Sequence, residues 1–240
     1  MTDGNRPTLF GATYSVYTRI ARLALAEKGV DYRLEEVDVF APGGAPAAYL
    51  ARHPFGRIPA FEHGDLRLYE SGAIARYVDA AFPGPALTPA DARGRARVDQ
   101  LISVCDSYVY RTLVWDVFVE RVRAPAQGRA TDEGLIAAAL PRARTALGVL
   151  EEFLVDRPFL AGDALTLADL HAYPMIALFR LAPEGALSMA EHPRMEAWRA
   201  AMAARPSVAA TRSPVERGGL SLPAHSPQVA TPGGGAARAR

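Results

Sequence analysis

A three-residue break, Pro83-Gly84-Pro85, divides the chain into two parts that obey different hydrophobic periods. Two prolines around a glycine cannot continue a helix, so no single element spans this point. Before it, short apolar runs alternate with amphipathic helical patterns. After it, nearly everything to about residue 212 has helical spacing. Such a chain is expected to fold as an α/β domain over 6–83 and an all-helical domain over 88–212. Its 240 residues suffice for two modest cores.

In the first part, 8–10 reads as a short strand closed by Gly11. Residues 17–28 read as a helix, with Ile20, Leu23, Ala24 and Glu27 at helical spacing and Gly29 as its stop. Residues 32–39 alternate as a strand until the phase slips at Val37. A loop at 41–46 leads to a short helical piece around Tyr49 and Leu50. The runs 58–61 and 66–69 flank His63-Gly64-Asp65, a hairpin signal. Ser71 is expected to cap the next helix, which turns Ile74, Tyr77, Val78 and Ala81 inward. Strand, helix, strand, helix, strand, strand, helix is the order of a thioredoxin-like domain, with a parallel pair and a hairpin in one mixed sheet.

In the second part, Thr88-Pro-Ala-Asp91 is expected to open a helix that runs past Cys105 to Phe118. A second long helical pattern ends near Leu154, and Pro141 within it predicts a kink or two shorter helices. Thr166-Leu-Ala-Asp169 resembles a capping box for a helix through Phe179, and a last helix follows Pro193. Residues 213–240 carry Pro223, Pro227, Pro232 and Gly233-Gly-Gly235, with no Phe, Tyr or Trp, and are expected to be disordered.

Composition narrows the function. With 27 basic and 26 acidic residues the net charge is +1, which argues against nucleic acid as a partner. Lys28 is the only lysine, a bias that with the many alanines suggests a GC-rich bacterial source. Cys105 alone excludes a disulfide framework, and on an apolar helical face it reads as a buried small hydrophobe. The five histidines show no ligand spacing, so no metal site is expected, and His171 beside the capping turn reads as structural. No run of about 18 apolar residues predicts a membrane span, and a cytoplasmic protein is the expectation.

Three segments of the first domain can carry chemistry. In Thr13-Tyr-Ser-Val-Tyr-Thr-Arg19, Ser15 lies at a helix N-terminus, where it either caps the helix or donates to an anion such as a thiolate. In His53-Pro-Phe-Gly-Arg-Ile-Pro-Ala-Phe61, a cis bond at Pro59 would turn the main chain of Ile58 outward to pair with an extended peptide. An ordinary trans proline at a strand start is the plain alternative. In Tyr69-Glu-Ser-Gly72, Glu70 and Ser71 either form a cradle for an amino-acid zwitterion or cap a helix beside an acid. On the first long helix, Tyr108, Arg111 and Trp115 fall at i, i+3 and i+7, as a pocket wall or as core packing with a snorkelling arginine.

The order and spacing of these segments, followed by an all-helical domain with Thr-x-x-Asp, resemble the glutathione S-transferase family over about residues 8 to 212. The run from His53-Pro-Phe-Gly-Arg57 through Glu70-Ser71 is most similar to the phi class and bacterial relatives of phi and theta enzymes. The resemblance implies a glutathione-binding enzyme that attaches the tripeptide's sulfur to small apolar electrophiles, needing no metal. It makes Ser15 the hydroxyl that steadies the thiolate, with Tyr14 and Tyr17 as alternatives and as pocket residues beside Tyr108, Arg111 and Trp115. Pro59 matches the family's cis-proline and Ile58 the residue that pairs with the cysteinyl part. Glu70 and Ser71 match the γ-glutamyl cradle, and Arg57 the basic residue near the glycyl carboxylate. Where phi enzymes carry a basic His-Lys segment, this chain has Gly43-Gly44-Ala45. Glutathione-dependent isomerisation or ether cleavage, or a non-catalytic subunit of the same fold, are the rival functions. A homodimer is expected, anchored by Phe55 in its loop unless that ring packs beneath Tyr49 and Leu50.

Overall fold

The computed structural model describes residues 6–219. The first domain runs β1 (Thr8–Gly11), α1 (Val16–Glu27), β2 (Arg33–Glu36), α2 (Ala47–Leu50), β3 (Ala60–His63), β4 (Leu66–Tyr69) and α3 (Ser71–Ala81). The sheet order is β2-β1-β3-β4, with β1 and β2 parallel and the other pairs antiparallel, the mixed thioredoxin-like sheet that the element order implies. The hairpin turns at Gly64-Asp65, where Gly64 has φ +61°, a conformation cheap only for glycine. Strand β2 stops at Glu36, and the Val37 amide then bonds the Gly11 carbonyl, which is where the alternation slips.

Two helix starts differ from the sequence reading. Ser71 is the first helical residue of α3, and Glu70 occupies the cap position with no side-chain bond to the helix. The second domain opens later than Thr88: α4 (Ala92–Val104) is capped by Asp91, whose carboxylate accepts from the Gly94 amide at 2.9 Å. Asp91 rather than Thr88 meets the orphan amides because Pro89 falls before the helix instead of in its first turn.

The same rod continues as a π-helical segment, Cys105–Arg123, and ends in the single turn α5 (Ala124–Ala126). Then follow α6 (Glu133–Glu152), α7 (Leu167–Phe179), α8 (Pro183–Ala190), α9 (Pro193–Ala203) and α10 (Pro206–Ala210). Of the two outcomes expected at Pro141, two shorter helices do not form; α6 runs through it. The proline is on the exposed face, as is Ala137 four residues earlier, so the carbonyl it leaves unbonded can turn to water. The short helices α8 and α10 have no counterpart in the sequence reading.

The apolar core is continuous across both domains, from Leu9 and Phe61 through Leu101 to Met202. Helix α1 packs on α3 within its own domain and on α7 and α10 of the other. Lys28 pins the connection between them: its Nζ donates to Asp79 Oδ1 at 3.2 Å and to the Pro85 carbonyl at 3.0 Å. At Gly84, φ is +121° and an added Cβ would press on the Lys28 backbone, so this turn needs glycine. Residues 213–219 do not behave as a tail. Ser213 is buried, Glu216 pairs with Arg19 of α1 at 2.5 Å, and Val215 packs against the core. Charge pairing, which composition does not reveal, holds this stretch; the rest of the expected disordered segment, 220–240, lies outside the described residues.

Candidate functional site

Sheet register gathers the three candidate segments. Phe10 of β1 pairs with Ala60 at the start of β3, and Ala60 pairs with Tyr69 at the end of β4. The chain leaving β1 towards Ser15, the Ile58-Pro59 turn entering β3 and the Glu70-Ser71 turn leaving β4 therefore share one end of the sheet.

At this end Ser15 caps α1, its Oγ accepting from the Thr18 amide at 3.2 Å. Accepting uses a lone pair and leaves the O–H to donate. Close packing fixes the turn, since a Cβ on Gly11 would lie 2.4 Å from Thr18 Oγ1. The two neighbouring tyrosines are engaged differently. Tyr14 donates its hydroxyl to Asp38 Oδ1 at 3.0 Å, and Tyr17 donates to Asp106 Oδ1 at 3.1 Å. Burial first, then the accepting carboxylate, push both phenols well above their ordinary range.

The Ile58–Pro59 peptide is cis. Just before it, the Tyr49 hydroxyl donates to the Arg57 carbonyl at 2.7 Å, and the Arg57 side chain is exposed. Glu70 is exposed and has φ +69° and ψ 114°, a strained backbone for a residue with a Cβ. Ser71 is buried beneath it at the first turn of α3, whose opening amides have no partner within the helix.

The π-helical segment meets the first domain here through ring contacts. There Tyr108, Arg111 and Trp115 do not form one wall, because the wider helical turn breaks the i, i+3, i+7 relation. Tyr108 is 66% exposed, Arg111 Nε donates to the buried Asp116 at 2.7 Å, and Trp115 meets Phe40 edge-on at 6.4 Å. Other residues in contact here were missed by the sequence reading. Tyr110 packs on Tyr17 with ring centroids 4.5 Å apart, and Phe40 lies 5.9 Å from Tyr14. Asp106 takes both the Tyr17 hydroxyl and His171 Nε2, the latter at 2.8 Å, tying α7 to α1. Arg123 lies over the Tyr14 ring at 5.6 Å. No local signal marks these residues; each matters through a partner from another part of the chain.

Cys105 is fully buried, and burial pushes its thiol far up, so it is no thiolate nucleophile. Among the described residues no group of three or more His, Cys, Asp or Glu could hold a metal ion, and no helix is long and apolar enough to cross a membrane.

Known proteins carry the same plan. The family profile "Glutathione S-transferase, N-terminal domain" matches residues 9–86, and "Glutathione S-transferase, C-terminal domain" matches 111–206. Glutathione S-transferase F7 of Arabidopsis thaliana is 32% identical over 204 residues, covering 83% of this chain and 95% of its own. A solved structure of glutathione S-transferase I bound with lactoylglutathione superposes with a TM-score of 0.77 at 30% identity, covering 86% of this chain and 98% of that one. A theta-class enzyme from Xanthomonas axonopodis pv. citri with glutathione bound gives a TM-score of 0.75 at 30% identity, over 86% of this chain and 97% of that one. With both domains matched and a 32% identical relative nearly fully spanned, the chain belongs to the glutathione S-transferase family.

Proposed function

We propose that this chain is a glutathione transferase that uses Ser15 to steady the thiolate. The bound sulfur attacks an electrophilic carbon, a C–S bond forms, the leaving group departs with its electron pair, and the thiol proton passes to solvent. The observation that carries this reading is the convergence of Ser15, Ile58 and Glu70-Ser71 on one end of the sheet, beside the Tyr17–Tyr110 and Phe40–Trp115 ring pairs. Ile58 offers its main chain to the cysteinyl part, Glu70 takes the γ-glutamyl ammonium, and Ser71 with the α3 amides takes its carboxylate. Arg57 faces the glycyl carboxylate without basic help from Gly43-Gly44-Ala45. Ser15 is preferred to Tyr14 and Tyr17 because both phenols already give their protons to carboxylates. Tyr14, Phe40, Tyr110 and Trp115 line the side where a small apolar electrophile would lie.

The working form in this reading is a homodimer. Phe55 is 70% exposed in a loop, grouped with His53 and Tyr69 rather than under Tyr49 and Leu50. The functional test is retention on immobilised glutathione followed by conjugation of a chloro-nitrobenzene. A folded protein that neither binds nor conjugates would overturn the reading.

A further inference from the structure

Arg19 is sealed into the protein one helical turn behind Ser15, its side chain 2% exposed. Nη1 donates to Glu216 Oε2 at 2.5 Å, and the guanidinium carbon lies 5.3 Å from the centre of the Tyr173 ring. Glu216 is itself held by Ser213, whose amide and hydroxyl donate to the same oxygen at 3.0 and 2.6 Å. Arg19 Nε and Nη2 are buried with no hydrogen-bond partner among the described residues. Natural interiors rarely leave such donors unused, and a single carboxylate balances the charge.

Two features aim this charge at the site. Helical side chains lean back towards the N-terminus of their helix, which here carries Arg19 towards Ser15. Arg19, Ser15, Tyr14 and Ser213 also line one small hollow, closed by Pro174 and Leu178 of α7. We propose that Arg19 is a positioning residue for catalysis: its buried positive charge, anchored by Glu216 of the C-terminal segment, supplements the Ser15 hydroxyl in stabilising the thiolate of the bound tripeptide. The proposal rests on the transferase reading above.

Other charges face the same place. Asp38 holds Tyr14 from the loop after β2, with Glu36 of that strand acting on it too. Asp106 of the π-helical segment holds Tyr17 and His171, and Arg123 lies over Tyr14. Arg57 acts on Tyr110 from the first domain, and Arg199 and Arg212 act on Tyr173 from behind.

Altering that pair from its two sides leaves opposite charges. In Arg19→Met the uncovered carboxylate remains, so the apparent pKa of conjugation rises. In Glu216→Gln the uncovered guanidinium remains, so it falls. Each shift is about one unit, the effect of a unit charge over roughly 10 Å at an effective dielectric of about 20. Arg19→Lys keeps the charge and restores most of the wild-type pH profile. A merely structural tie moves both profiles the same way or neither, and either result overturns the proposal. Should Arg19→Met fail to fold, Glu216→Gln decides alone: a fall supports the proposal, and a rise or no change overturns it. The ultraviolet absorbance of bound thiolate against pH reads the same quantity without an electrophile. A wild-type protein that neither binds nor conjugates glutathione would instead bring down the transferase reading, and this proposal with it.

Discussion

Ser15 accepts a bond from the Thr18 amide while its own O–H stays available, so one oxygen can cap α1 and serve a thiolate. Ser15→Ala removes both. Losing a hydrogen bond to a charged group costs about 1.5–3 kcal/mol, or roughly ten- to a hundred-fold in thiolate stabilisation, and losing the cap costs about 1 kcal/mol of stability. The expected outcome is a raised apparent pKa in the pH–rate profile with a modest drop in melting temperature. An unchanged pKa would return attention to Tyr14 or Tyr17. At Glu70 the backbone and the carboxylate can be separated, because φ is +69° there. Glu70→Gly relieves the backbone while deleting the charge. Its melting temperature should hold or rise while calorimetry shows weakened glutathione binding; unchanged affinity would make Glu70 merely a strained turn residue.

At the scale of elements, helix starts were legible where the capping side chain is local, as at Ser15 and Thr166. The box at α7 is more than a cap. Asp169 is fully buried and accepts from the Leu160 amide, the Thr166 amide and hydroxyl, and Trp198 Nε1, all at 2.9 Å. Burial pushes its carboxyl up against the pull of those four donors. Asp169→Ala orphans all of them, so it should destabilise by at least about 3 kcal/mol, measured by chemical denaturation. A loss under about 1 kcal/mol would mean that water replaces the carboxylate. The π-helical segment is the opposite case. Its widened turn sets Tyr110 against Tyr17 and Trp115 against Phe40 and leaves Tyr108 exposed, an outcome that 3.6-residue spacing does not predict.

Over the whole molecule, α1 is where the domains meet. Arg205 grips Glu27 through Nε and Nη2 at 2.9 and 2.8 Å, and Ser207 donates to the same carboxylate. Burial alone would raise the Glu27 pKa, but these donors hold it below the usual range. A depressed carboxylate contributes stability above its unfolded pKa of about 4.3, lost as pH falls through the folded value. Glu27→Gln should therefore cost about 1–3 kcal/mol near neutrality, and the gap to wild type should close below about pH 4. A pH-independent gap in denaturation experiments would reject that linkage. The assembly is tested at Phe55. In a two-fold dimer each ring is used twice, so at about 1.5–3 kcal/mol per buried Phe, Phe55→Ala should weaken association by several kcal/mol. Sedimentation at matched micromolar concentrations should show a dimeric wild type and a dissociating mutant. A monomeric wild type rejects the dimer, and a fully dimeric mutant rejects the role of Phe55.

Local chemistry was enough to determine the two-domain plan, the mixed sheet, the hairpin at Gly64 and the three segments that meet at one end of the sheet. Periodicity, turn residues and caps act over a few residues and are written directly in the chain. Only the tertiary structure decided which hydroxyls are spent, because Asp38 and Asp106 reach Tyr14 and Tyr17 from 24 and 89 residues away. It likewise turned 213–219 from an expected tail into a packed segment, since Glu216 finds Arg19 across 197 residues. Ion pairs and ring contacts depend on distance in space, and distance in space appears only once the chain has folded.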